Sequence, residues 1–278
     1  MSFFDLRMEI TFLHRHQCGL ALHVERLRTS MTVPNVFSSY QVPQRRHPVL
    51  ANAMYLWASF LSRPGPLSLN EPQFLSKAQN ALADALNSSQ HPSAAASPQL
   101  LHQSIVANST ISPSLSQSPS PEPATASPSV VLDTIQAVIL LARYFFAIGR
   151  LHAASYYSNA GASLAIQSGL HQIHSSLALA VSQQHQPLPA LSGLNAVYSS
   201  ELRLPPAQDG VELGERINVF WEVFYLDRML SVALRRPPVI VDDDSIESQI
   251  DTPWPDDVEE YETVRVILYQ MQLHGQLT

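Results

Sequence analysis

The chain has 278 residues, 45% of them hydrophobic and 14% charged, with a net charge of −7. That composition supports a substantial apolar core and excludes a chain disordered along its whole length. Lys77 is the single lysine among 16 basic residues, and the densest basic clusters are Arg45-Arg46 and Arg235-Arg236; there is none of the basic striping with which a nucleic-acid-binding module neutralises phosphates.

The N-terminal stretch MSFFDLRMEITFLHRHQ is interrupted by Asp5, Arg7 and Glu9, so it lacks the apolar centre of a signal peptide. Residues 3–31 are helix-compatible, with Gly19 as an expected break. Cys18 is the sole cysteine, which excludes an intramolecular disulfide and a multi-cysteine zinc site; a small buried apolar role is expected. Residues 34–48 read as irregular. Pro48 then takes the favoured first position of a helix on which Leu50, Met54, Trp57 and Leu61 recur at helical spacing. Pro64-Gly65-Pro66 ends it. Asn70 reads as the N-cap of the next helix, with Phe74, Ala78, Leu82 and Leu86 on one stripe.

Residues 88–129, including SPSLSQSPSPEPATASPS, form a Ser/Pro/Ala-rich insertion expected to be disordered, because it cannot repay its own ordering entropy. A strongly apolar helix follows from Val130, with Val131, Ile135, Val138, Ala142 and Phe145 on one face. The small-residue helix 150–168 allows close helix approach and stops at Gly169. Residues 171–214 are broken by Pro187, Pro189, Pro205 and Pro206. Helices are expected at 215–235 and 259–273. No run of about 18 uninterrupted apolar residues occurs, so no membrane span is expected and the chain reads as soluble. No strand alternation is evident, so the fold class is all-α: an irregular multi-helix bundle with a disordered insertion. The organisation is residues 1–87, N-terminal helices; 88–129, insertion; 130–278, C-terminal helices of the same domain.

Two stretches, TIQAVILLARYFFAIGRLHAASYYSNAGASLAIQSGLHQ and RINVFWEVFYLDRMLSVALRRPPVIVDDDSI, resemble the middle homology (regulatory) region of fungal zinc-cluster transcription factors. The shared order is a helix with a "QA-LLA-Y" pattern, a small-residue helix ending in "GLH", an Arg leading into "FW-YLDR-LS", and an "RP" turn before acidic residues. HPVLANAMYLW resembles that family's early helix. The matching positions are Gln136, Trp221, Asp227, Arg228, Arg236 and Pro237, which the resemblance makes structural. It implies a non-enzymatic regulator of DNA-templated transcription in the nucleus, with partners in the transcription machinery and DNA reached through a separate zinc-cluster module. A homodimer and a small-molecule effector are left open by it. Two departures stand out. Arg235 occupies the place where the family usually has glycine, and the six-cysteine cluster is absent, so no cofactor is expected in this chain, which looks truncated.

A rival reading is enzymatic. Asp243, Asp244 and Glu247 match the D-D-x-x-E pattern by which all-α isoprenoid synthases hold magnesium and a diphosphate. That pattern needs one face of a long helix, and here it follows Pro237-Pro238 and an extended Val239-Ile240-Val241, with no second carboxylate motif downstream. Asp244 to Glu247 also has capping-box spacing, so Asp244 is read as the cap of a short helix. A non-functional fragment is a third reading. Asp227 and Arg228 lack any evident catalytic partner and read as an ion-paired helix flank, with Arg235 or Arg236 as the counter-charge. The histidines read as scattered polar groups: His14 and His16 point about 200° apart on a helix, and His171 and His174 have no ligand beside them. Trp221 and Phe224 read as buried aromatics, each costing about 3–5 kcal/mol on truncation to Ala.

Because loop-closure entropy grows slowly with length, deleting residues 88–129 is expected to leave the thermal midpoint within a few degrees of the full chain. A larger drop in a thermal melt would reveal a packed element there.

Overall fold

The computed structural model describes residues 3–31, 46–90, 128–175, 202–243, 245 and 248–256. Among them the regular elements are all helical: α1 (Phe3–Leu13), α2 (Arg15–Cys18), α3 (Val24–Met31), α4 (Pro48–Leu61), α5 (Glu71–Gln90), α6 (Pro128–Ala147), α7 (Leu151–Gln167) and α8 (Gly210–Leu234), with short 3-10 turns at Pro66–Asn70 and Leu170–Gln172. The expected all-α class therefore holds for the described residues. The expected final helix, 259–273, lies outside them, as do residues 91–127 of the insertion; α5 runs on to Gln90 and α6 begins at Pro128, so the ends of the expected insertion, 88–90 and 128–129, belong to helices.

The centre is α6, which packs against α4, α5, α7 and α8. Its residues 130–147 are long and apolar enough to cross a membrane by length and composition, and 78% of that window is buried inside the bundle. The all-round burial comes from near-continuous Val, Ile, Leu and Ala in a helix with neighbours on every side. Asp133 and Gln136 break the apolar run, and both are buried with partners described below. Helices from both sides of the insertion contribute to one core, with Leu50, Met54, Ile135, Ile139, Leu140, Phe220 and Leu226 fully enclosed.

Two polar bonds set the depth of α4. Thr11 donates to the Met54 carbonyl at 3.0 Å, and Trp57 Nε1 donates to the Leu140 carbonyl at 2.8 Å. Trp57, Phe60 and Tyr144 meet edge to face, and Phe145 stacks on Tyr157 at 5.4 Å. Tyr144 donates to Glu71, which also holds Arg63, so the polar rims of these rings are paired.

The start of α5 differs from expectation. Asn70 ends a 3-10 turn that runs directly into Glu71, so it is not an N-cap. α8 starts five residues earlier than expected, because Asp209 accepts from the Glu212 amide at 2.7 Å and Glu212 reaches back to the Gln208 amide at 3.0 Å. Residues 3–31 break at Gly19 as expected, with φ +74 there, and also at His14. Cys18 is fully buried, and burial pushes its thiol up to about 12, which makes it an inert core residue.

Gly161 lies where α7 packs tightly on α6: a Cβ there would sit 3.3 Å from Val138 Cγ1. Gly161→Leu is expected to destabilise the domain by about 1–3 kcal/mol through overpacking, measured by urea denaturation with the slope unchanged.

Candidate functional site

Three features surround α8. The first is a buried charge cluster. Arg46 Nη1 lies 2.9 Å from Asp133 Oδ1, and Arg46 Nη2 lies 3.3 Å from Glu215 Oε1. The His47 amide donates to Asp133 at 2.7 Å, and the His23 amide donates to Glu215 at 3.0 Å. All three charged side chains are at most 7% exposed. Burial raises both carboxyl groups above their ordinary values, and Arg46 pulls them back only in part, since one guanidinium faces two acids. One helical turn along α6, Gln136 donates to the Gly19 carbonyl at 2.8 Å and accepts from the Ala21 amide at 2.9 Å. It replaces a missing backbone partner for a loop that has no helix of its own there.

The second feature is the end of α8. The helix stops at Leu234, and Arg235 adopts the left-handed conformation (φ 51, ψ 45) with its amide bonded back to Ser231 and Val232. Asp227, fully buried, accepts from the Val239 amide at 3.0 Å and the Ile240 amide at 3.0 Å. Arg228 donates to the Ile240 carbonyl at 2.8 Å and covers the face of Phe224, with Asp227 3.9 Å away. Arg236 donates to Asn159 Oδ1 at 2.9 Å, and Pro237 lies exposed at the turn. The expected pairing of Asp227 with Arg235 or Arg236 is therefore replaced. Its partners are backbone amides that Pro237 and Pro238 turn back onto the helix, and Ile240 alone anchors the segment, with Val239 and Val241 exposed.

The third feature is a pocket of about 690 Å³ between the 15–22 segment, the outer face of α8 and the strap 253–256. Trp221 and Trp254 stack at 4.4 Å with planes 13° apart, and Trp221 Nε1 donates to the Pro253 carbonyl. The strap is held from below by Thr252, which donates to the Leu170 carbonyl at 2.6 Å, and by Asp251, whose amide donates to the His171 carbonyl at 2.7 Å. His174 Nδ1 faces Asp251 at 3.3 Å, a carboxylate neighbour 77 positions away that residue spacing does not disclose. His16 lines the pocket and accepts from Arg15.

The acidic stretch is irregular at 241–243. Asp243 is exposed and accepts from the Ser245 amide at 2.9 Å and from the Ser248 hydroxyl, which hold its carboxyl below the usual range. Asp244 and Glu247, the rest of the carboxylate pattern and the expected cap, lie outside the described residues. Among the described residues, no three His, Cys, Asp or Glu side chains come together as a metal site.

The fungal specific transcription factor domain family model matches residues 11–266. The chain belongs to this family. The fungal transcription factor domain thus spans the charge cluster, the end of α8 and the pocket, from the end of α1 through the strap. Searches of curated proteins and of solved structures return no match. In this domain Gln136, Trp221 and Arg236 each join segments distant in sequence, and Asp227 and Arg228 tie α8 to the turn that follows it. Arg46, Asp133, Glu215 and Trp254 escaped sequence reading. A buried-face Asp and Glu on apolar helices, and the Pro253-Trp254-Pro255 string, are the signals that could have found them.

Phe220 is the fully buried ring, whereas Trp221 and Phe224 are half-buried beside the pocket. Phe220→Ala is therefore expected to cost about 3–5 kcal/mol, and Trp221→Ala and Phe224→Ala less than that. Asp227→Ala should cost about 3 kcal/mol by stranding two amides, all read by denaturant melts.

The charge cluster also sets a pH dependence. With the folded pKa of Glu215 raised above its unfolded value near 4.5, its contribution is fully present below that value and is lost as pH rises through the folded pKa. Glu215→Gln retains the acceptor for His23 and Arg46 and removes the titration. Its thermal midpoint should fall less steeply than that of the parent chain as pH rises from about 4.5 toward neutral.

Proposed function

We propose that this domain is the regulatory region of a nuclear fungal transcription factor, acting through protein contacts with the transcription machinery. Family membership over residues 11–266 is the observation that carries the reading, since the family is one of transcription regulators rather than enzymes. DNA is reached, in this reading, through a six-cysteine zinc-cluster module outside these 278 residues. The net charge of −7 and the single cysteine agree with that division of labour. So does the use of arginines: Arg46, Arg63, Arg143 and Arg216 are each ion-paired to a carboxylate within the domain, which spends them on architecture. The pocket between α8 and the strap supplies a place where a small molecule can bias the domain, because it touches both the Gln136-clamped segment and α8.

The test is a reporter assay with the chain fused to an unrelated DNA-binding domain. Reporter output should change several-fold relative to that DNA-binding domain alone, and Asp227→Ala, which loosens the end of α8, should abolish the change while the fusion still occupies its site. Equal output from the fusion and the bare DNA-binding domain would refute the regulatory reading. Magnesium binding abolished by Asp243→Asn in an intact fold would put the isoprenoid-synthase-like reading in its place.

A further inference from the structure

We infer that the pocket beneath Trp254 binds an uncharged, planar aromatic molecule. This gives a chemical class to the effector of the regulatory reading and rests on that reading only for its biological use. Its volume of about 690 Å³ falls in the range of small-molecule sites. Four aromatic side chains, Trp221, Phe224, Tyr225 and Trp254, form its walls together with Leu20 and Leu22. Trp254 is 76% exposed and Tyr225 is 55% exposed, so two large apolar groups at the mouth stand open to water that a bound ligand would displace.

The charges of the lining decide the ligand's chemistry. Glu222 is paired with Arg143, which also lies over the Tyr225 ring at 5.4 Å. Arg228 is committed to the Ile240 carbonyl, the Phe224 face and the nearby Asp227. Arg15 donates to His16, the Asn218 side-chain amide reaches the Asp256 backbone carbonyl at 3.4 Å, and both Arg15 and Asp256 have further partners. An amine would have to compete with Arg143 for Glu222, and an organic acid with Asp227 and the Ile240 carbonyl for Arg228, while burying an ion without a full partner is costly. A neutral aromatic loses no such hydration and gains offset stacking on rings that are already aligned. Trp221 and Trp254 already stack on each other at 4.4 Å, so a ligand meets the outer face of this aligned pair rather than a gap within it, and a flat molecule covers such a face better than a globular aliphatic one.

A matched pair of dyes tests this on the purified full chain: neutral phenylnaphthylamine and its sulfonated analogue, anilinonaphthalene sulfonate. Saturable binding of the neutral dye is expected, one site per chain, with the sulfonate weaker by about tenfold or more. Trp254→Ala, an exposed residue outside the buried core, should weaken the neutral dye by about tenfold with the thermal midpoint lowered by no more than a few degrees. Tyr225→Ala serves as an independent second variant with the same expectation. Equal or tighter binding of the sulfonate would overturn the inference, as would binding indifferent to both variants. If neither dye binds and sedimentation shows a dimer that Trp254→Ala dissolves, the face is a self-association surface and the inference falls. Dye binding is read without any reporter, so its failure sinks this inference alone, and failure of the reporter assay sinks the regulatory reading alone.

Discussion

The structure hangs on one guanidinium facing two acids. Arg46 sits between Asp133 of α6 and Glu215 of α8, and the amides of His47 and His23 complete the same cluster. Four chain segments distant in sequence are brought to one buried point. Desolvating three charges is expensive, and a well-packed apolar triad could match its stability. An apolar triad could also slide, whereas hydrogen bonds with fixed directions hold α6 and α8 in a single register. Gln136 does the same for the segment after α2, one turn further along α6.

The helices of the core were readable because their apolar residues repeat at helical spacing, as with Leu50, Met54 and Trp57 on α4. α6 was readable for the opposite reason: it is apolar on nearly every side, as a helix at the centre of a bundle is. Helix ends were harder. Asn70 looks like a cap but continues a 3-10 turn, while the Asp209–Glu212 pair that starts α8 stands beyond a proline-broken stretch. Side-chain partners were harder still. Asp227 looks like half of an ion pair, and no spacing rule foretells that its partners are amides a dozen residues on, presented by a proline turn. Gln136, Asp227 and Arg236 were legible as positions, but their contacts were not.

Pocket and clamp share parts. The 15–22 segment that forms one wall is held by Gln136 and, through His23, by Glu215, while α8 forms the opposite wall. A change in the spacing of these walls must strain hydrogen bonds in the buried cluster, since packed interiors resist gradual deformation. The strap adds a third tie, because Thr252 and Asp251 fasten it to the residues just after α7.

Arg235 carries a consequence for how the end of α8 can move. The chain turns left-handed there, a conformation that glycine adopts most easily, and here an arginine adopts it, at φ 51. A side chain in this region costs about 1 kcal/mol or more that glycine would not. The corner nevertheless keeps its shape, because Asp227, Arg236 and the two prolines dictate it from outside. Glycine there would let the backbone bend either way; arginine narrows the choice. With an arginine in place the corner is a stiff elbow rather than a pliable joint, and α8 and the turn that follows it are held as one piece.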